Sequence, residues 1–149
     1  MALLCEFSYA FFQKWGNALA QILVDGSNVL FWRGEQAQAD VPDLVVRALV
    51  QRRFAPVVYF DNTVTRYLSA DALAHLGEVA RVHVAPRGTP ADALLLAACC
   101  AGRVQIVSCD RFSAWRKDHP RLRADWLVTG RVERGGRISF SKKLRAAPL

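Results

Sequence analysis

The sequence predicts a three-layer α/β/α domain built on a central parallel β-sheet. Four short runs rich in β-branched and aromatic residues alternate with segments of helical character, which gives the order β-α-β-α-β-α-β. Three of the four runs are almost continuously apolar, as strands buried on both faces are expected to be. Ligand sites in such domains lie at the carboxyl ends of the parallel strands.

The predicted strands and helices alternate along the chain. The strands are predicted at Gln21 to Val24, Pro56 to Phe60, Arg81 to Ala85 and Val104 to Ser108. The helices between them are predicted at Val41 to Arg53, Ala70 to Ala80 and Pro90 to Cys100. After the fourth strand we expect a helix to open at Phe112 to Trp115, followed by a hairpin of Trp126 to Arg131 and Arg137 to Phe140 around Gly135-Gly136.

The length of 149 residues suits one domain, which we place at residues 21–141 with a basic tail at 142–149. Residues 1–20 are predicted to form an amphipathic helix, because apolar residues recur every four positions at Leu3, Phe7, Phe11, Trp15 and Leu19. This helix would pack on the domain, on a second copy or on a protein partner. Glu6 and the lack of a basic leader disfavour a signal peptide, and no run is long enough to span a membrane.

The four cysteines predict no disulfide framework and no zinc site. They stand at Cys5, Cys99, Cys100 and Cys109, without a CxxC pair and without histidines at zinc spacing. We therefore expect reduced, buried thiols in a cytoplasmic protein.

The net charge of +7 indicates an affinity for polyanions, with RNA as the partner we consider further. The excess lies after residue 100, at Arg103, Arg111, Arg116, Lys117, Arg121, Arg123, Arg131, Arg134, Arg137, Lys142, Lys143 and Arg145. Basic surfaces also serve solubility, so charge alone leaves nucleic-acid binding undecided.

Aspartates stand where the predicted strands end. Asp25, Asp61 and Asp110 follow the first, second and fourth strands, and Asp92 begins the helix after the third. A single aspartate in such a place is commonly a cap or a turn residue. Four together would repel one another unless protons or a cation neutralised them, and Mg²⁺ or Mn²⁺ prefers oxygen ligands.

From this pattern we assign candidate roles. All four aspartates are candidate ligands of the cation, and Asn28 is a candidate catalytic residue that could orient Asp25 or a metal-bound water. The candidates for substrate binding are Asp61, Ser27, Arg66, Arg87 and Arg111. Ser27 and Asn28 could equally cap a helix, and each arginine could equally be solvated surface charge. No histidine has a nucleophile partner that would make it a catalytic base.

Three motifs resemble the NYN branch of the PIN-like nucleases, whose domain is Rossmann-like. They are ILVDGSNV at Ile22 to Val29, FDN at Phe60 to Asn62 and SCDRFSAW at Ser108 to Trp115. The resemblance spans residues 21–120 and is greatest to the Regnase-type domain, found beside CCCH zinc fingers and in stand-alone bacterial proteins. It implies a Mg²⁺-dependent endoribonuclease acting on single-stranded RNA. By this resemblance Asp25, Asp92 and Asp110 bind the cation and, with Asn28, form the catalytic group.

The sequence departs from this family at two positions. The family commonly has two adjacent acidic residues after the third strand, whereas Asp92 lies between Ala91 and Ala93, and Cys109 stands where asparagine is usual. A catalytically weakened RNA-binding module is therefore an alternative, as is the toxin of a toxin-antitoxin pair. A small-molecule phosphatase is a further rival, but the DxD arrangement that such enzymes use is missing after the first strand.

Overall fold

The core of the fold is a five-stranded parallel sheet, seen in a computed structural model that describes residues 19–148. Its strands follow the order β3-β2-β1-β4-β5 across the sheet. Their bounds are β1 Ala20–Asp25, β2 Phe54–Phe60, β3 Arg81–Val84, β4 Ile106–Val107 and β5 Leu127–Val128. The four predicted parallel strands are confirmed. Residues 1–18 of the helix predicted at residues 1–20 lie outside the described part of the chain, and Ala20 is the first residue of β1.

Helices cover both faces of the sheet, as predicted. They are α1 Gly26–Val29, α2 Val41–Gln51, α3 Ala70–Leu76 and α4 Ala91–Gly102. Helix α3 ends at Leu76, whereas the prediction extended it to Ala80. Residues 77–79 form tighter turns instead, because Gly77 has a low helix propensity. The helix predicted at Phe112 to Trp115 is a single 3-10 turn, Ser113–Trp115, because Phe112 takes a left-handed backbone conformation.

The alternation of side chains along β1 divides the core into two layers. Ile22 and Val24 pack with α2 and α3 on one face, where Leu49 is fully buried. Leu23 points to the other face and packs with Leu95 of α4. Each face therefore has its own apolar cluster, which is the three-layer α/β/α arrangement that the sequence predicts.

The C-terminal hairpin is confirmed, but one predicted strand serves two sheets. The segment predicted as Trp126 to Arg131 divides into β5, which pairs in parallel with β4, and β6 Gly130–Val132. Strand β6 pairs in antiparallel fashion with β7 Ile138–Phe140. The fifth parallel strand was not predicted, because two apolar residues give no periodic signal of their own.

The predicted basic tail is attached to the domain through Gln105. This side chain is buried, and its Nε2 donates hydrogen bonds to the carbonyl oxygens of Asp125 and Lys143 at 3.3 and 3.2 Å. Its Oε1 accepts from the backbone N–H of Arg145 at 2.9 Å. None of the helices within residues 19–148 has the length and apolar character that crossing a membrane requires.

We expect Gln105→Ala to lower the free energy of unfolding by about 2 to 4 kcal/mol, because three hydrogen bonds are lost and backbone groups of the C-terminal segment lose their partners. Urea denaturation measures this change, and hydrogen exchange at the Arg145 amide should accelerate. The exposed Gln51 is the control: Gln51→Ala should have an effect under about 0.5 kcal/mol. Equal stability of the two variants would contradict this role for Gln105.

Candidate active site

The four aspartates lie at the carboxyl edge of the parallel sheet. Asp25 is the last residue of β1, Asp61 directly follows β2, and Asp110 lies just beyond β4. Asp92 is the second residue of α4, the helix that returns from the carboxyl end of β3. The topology therefore brings the predicted acidic residues to one edge.

Asp25 is held in a buried position by the turn that follows it. Its side chain is only 4% exposed, and Oδ1 accepts a hydrogen bond from the backbone N–H of Asn28 at 3.2 Å. A Cβ on Gly26 would lie 2.5 Å from Cε1 of Phe60 and 2.8 Å from Cγ1 of Val58. Only glycine permits this close approach, so the Asp-Gly pair places the carboxylate against the sheet.

The carboxylates interact electrostatically across this edge. Burial raises the pKa of Asp25 to about 7, the hydrogen bond from Ser108 lowers it, and the negative charges of Asp92 and Asp110 raise it. Burial also raises the pKa of Asp92, and the negative charge of Asp110 raises it further. Within residues 19–148 none of the four aspartates forms an ion pair with a lysine, arginine or histidine.

Ser108 links two of these aspartates and was missed by the sequence analysis. Its buried hydroxyl donates to Oδ2 of Asp25 at 2.8 Å and accepts from the backbone N–H of Asp110 at 3.0 Å. Asp110 is exposed, and its Oδ1 accepts from the backbone N–H of Phe112 at 2.8 Å. The signal available in the sequence was a polar residue at the end of β4, two positions before Asp110.

Trp115 is a second residue that the sequence analysis did not place. Its indole Nε1 donates a hydrogen bond to Oδ2 of Asp92 at 3.2 Å, and this bond lowers the pKa of Asp92. The indole therefore stabilises the ionised form of a half-buried carboxylate that burial disfavours. Its position five residues after Asp110 was the only local signal for this role.

Asn28 positions the loop after β4. Its Oδ1 accepts from Nε1 of Trp32 at 2.9 Å and from the backbone N–H of Cys109 at 2.8 Å. Its contact with Asp25 is made by its backbone N–H. The amide side chain thus fixes the backbone one residue before Asp110.

Ser27 and Asp61 connect the other loops of the edge. The Ser27 Oγ accepts from the backbone N–H of Asp61 at 2.9 Å. Asp61 Oδ1 in turn accepts from the backbone N–H of Ala91, the first residue of α4, at 2.8 Å. An anionic acceptor is favourable at a helix N-terminus, so Asp61 anchors the helix that carries Asp92.

The three candidate arginines, Arg66, Arg87 and Arg111, are exposed on segments that follow β2, β3 and β4. No carboxylate within residues 19–148 forms an ion pair with any of them. The basic side chains at this edge are therefore available to an anionic ligand.

The prediction of buried cysteines is wrong for Cys109. Cys99 is buried and Cys100 is half-buried, but Cys109 is exposed, because it lies in the loop beyond β4. Its thiol contacts the carbonyl oxygen of Gly130 at 3.3 Å. The structure shows all three as free thiols.

The donor set of the edge suits a hard cation. The side chains that meet there offer carboxylate and hydroxyl oxygens, which Mg²⁺ and Mn²⁺ prefer. Within residues 19–148 no three His, Cys, Asp or Glu side chains are grouped as a metal site. Mg²⁺ typically takes one or two protein carboxylates together with water and substrate phosphate, so the chemistry fits while the assignment of three ligands stays a prediction.

We expect Asp25→Asn to stabilise the metal-free protein at neutral and higher pH. The folded-state pKa of about 7 lies above the ordinary value of 3.8, so the folded protein holds an extra proton between these pH values. The wild-type free energy of unfolding therefore falls as pH rises through this interval. Asparagine carries no charge, and the variant should exceed the wild type by about 2 to 4 kcal/mol above pH 7.

Urea denaturation in EDTA at a series of pH values measures this difference. The two proteins should converge in stability below about pH 3, where Asp25 is protonated in both the folded and unfolded states. Asp71→Asn, an exposed change in α3, is the matched control and should not gain stability over the wild type at neutral pH. If the stability difference between Asp25→Asn and the wild type did not vary with pH, the raised pKa of Asp25 in the folded protein would be wrong.

Comparison with solved structures identifies the fold. Two structures of the nuclear protein-only RNase P 2 (PRORP2) of Arabidopsis thaliana match the chain, with TM-scores of 0.66 and 0.65 and 14% sequence identity. Each match covers 93% of this chain and 33% of the PRORP2 chain, so the chain spans about a third of that protein. No protein-family model and no curated protein sequence matches it. The chain therefore shares an α/β/α fold on a parallel central sheet with part of this protein, in agreement with the fold that the motifs predict.

Proposed function

We propose that this protein is a metal-dependent endoribonuclease of the Regnase-type NYN branch of PIN-like nucleases. The observation that carries the proposal is the group Asp25, Asp92 and Asp110, whose negative charges interact at the carboxyl edge without a cationic partner in residues 19–148. A fold shared with a protein named as an RNase P, and the net charge of +7, support RNA as the substrate.

Asp25, Asp92 and Asp110 would hold the divalent cation, Mg²⁺ or Mn²⁺. When bound, it supplies the positive charge that activates water for attack on the phosphodiester and stabilises the leaving oxygen. The hydroxyl of Ser108 fixes the carboxylate of Asp25, and the indole of Trp115 fixes that of Asp92. These bonds keep the acceptor oxygens oriented before the cation arrives.

The exposed guanidinium groups of Arg66, Arg87 and Arg111 would bind phosphates on either side of the cleaved bond. Ser27 and Asp61 each use one atom to hold a loop. The hydroxyl proton of Ser27 and Oδ2 of Asp61 have no hydrogen-bond partner within residues 19–148, which leaves them free for substrate. Asn28 contributes by holding the backbone beside Asp110.

A second candidate is an RNA-binding module with weakened catalysis. Asp92 has alanine on both sides where the resembled family commonly has two acidic residues, which reduces the negative charge available to a cation. Such a module would still bind RNA through the same fold and the same exposed arginines. It differs from the main proposal in its response to metal.

We expect Asp25→Asn and Asp110→Asn each to reduce cleavage of single-stranded RNA by about 100-fold or more, because each removes charge from the cation site. Cleavage of labelled RNA and DNA is followed with Mg²⁺, with EDTA and after Mg²⁺ or Mn²⁺ is restored. EDTA should stop the reaction and Mg²⁺ should restore it, whereas Zn²⁺ should do so poorly.

Asp118→Asn is the matched control, since Asp118 is exposed and outside the acidic group. It should retain wild-type cleavage. Full cleavage by both Asp25→Asn and Asp110→Asn, or cleavage that chelation does not affect, would refute the metal mechanism. RNA binding without any metal-dependent cleavage would favour the binding module.

The exposed basic residues after β4 should contribute to RNA affinity in a salt-dependent manner. Arg111→Ala and Lys117→Ala, two exposed positions after β4, should weaken RNA binding and each reduce the slope of log affinity against log salt by about 0.7. Fluorescence anisotropy in EDTA over a salt series measures the slope. Arg47→Ala is the control, because Arg47 is paired with Asp43 on α2. An unchanged slope would show that these cations do not contact phosphate.

A further inference from the structure

Three large hydrophobic side chains of residues 19–148 are exposed, and all three lie at the edge of the sheet that carries the aspartates. Phe31 is 40% exposed and follows α1, Tyr67 is 45% exposed and follows the 3-10 turn after β2, and Val84 is 43% exposed at the end of β3. Exposed apolar side chains gathered at one edge, beside a polar site, are typical of a surface that contacts a ligand.

The two aromatic rings of this group contact each other. Phe31 and Tyr67 meet edge to face, with ring centroids 5.8 Å apart and an interplanar angle of 81°. Their backbones are fixed, because the N–H of Phe31 donates to the carbonyl of Asn28 at 3.0 Å and that of Tyr67 to the carbonyl of Val64 at 2.9 Å. The rings are therefore oriented in advance while much of their surface stays open, which lowers the entropy cost of binding a flat ligand.

Two exposed arginines belong to the same chain segments as these exposed apolar side chains. Arg66 directly precedes Tyr67, is exposed, and forms no ion pair with a carboxylate within residues 19–148. Arg87, three residues after Val84, is exposed and unpaired in the same way. Open aromatic rings next to unpaired guanidinium groups are the combination that binds single-stranded nucleic acid, in which bases stack on rings and cations contact the phosphates.

We infer that Phe31 and Tyr67 form a stacking platform for unpaired bases of an RNA strand whose phosphates lie along Arg66 and Arg87. This inference rests on the proposed function, because it assigns the platform to the RNA that the aspartate edge would cleave. It makes single-stranded RNA the preferred ligand, since bases in a duplex are stacked on each other and cannot reach the rings.

The test uses binding without cleavage. Anisotropy of a labelled RNA of about 12 nucleotides is measured in EDTA, with the full chain, for Phe31→Leu, Tyr67→Leu and the double variant. Leucine keeps apolar bulk and removes the flat ring. Each single variant should weaken binding by about 5- to 100-fold, the loss measured when a ring that stacks on a base is removed. Phe31→Tyr and Tyr67→Phe, which keep a ring, should bind within about 2-fold of the wild type.

Two comparisons isolate base stacking. Phe140→Leu changes a half-buried ring that packs under Arg52 near the start of β2, and it should leave RNA affinity unchanged. An RNA of the same length with abasic residues should bind weakly to the wild type, with no further loss for the leucine variants. Thermal unfolding of each variant verifies that it is folded.

The inference is overturned if the leucine variants bind RNA as the wild type does, or if they lose equal affinity for normal and abasic RNA. It is also overturned if those variants lose only self-association, because the rings would then contact protein. Failure of the proposed function gives a different result: the leucine variants lose RNA affinity, but the wild type cleaves no RNA with any metal. Asp25→Asn should bind RNA through the platform and fail to cleave it.

Discussion

The arrangement of the candidate active site depends on one constraint, the burial of the Asp25 carboxylate among other acidic groups. Burial removes water from the charge, and the neighbouring charges of Asp92 and Asp110 disfavour ionisation further, so the pKa of Asp25 rises to about 7. A bound cation would relieve both effects at once. The close turn at Gly26 fixes where this carboxylate lies, because a side chain there would collide with Phe60 and Val58.

A network of hydrogen bonds between loops opposes the repulsion among these carboxylates. Ser108 connects the ends of β1 and β4, Asn28 connects α1 to the loop at Cys109, and Asp61 connects the end of β2 to α4. Each bond joins segments that are distant in the chain. The acidic oxygens are thereby oriented by neutral donors, and no ion pair within residues 19–148 compensates their negative charge.

Two kinds of chemistry are separated along the same edge of the sheet. The carboxylates offer hard oxygen ligands, whereas the exposed guanidinium groups and the pair Phe31 and Tyr67 offer charge and flat apolar surface. The first kind suits a divalent cation and the second suits a strand of nucleic acid. No described ion pair joins the carboxylates to the guanidinium groups. A substitution in one group therefore removes no ion pair of the other group.

The sequence by itself determined the parallel α/β order and the placing of aspartates at strand ends, because apolar periodicity and turn residues act between neighbours in the chain. Only the tertiary structure decided that Ser108 binds Asp25, a contact between residues 83 positions apart, and that Trp115 binds Asp92. It also decided the exposure of Cys109 and the joining of Leu127–Val128 to the sheet. These features arise from packing between distant segments, which local pattern does not encode.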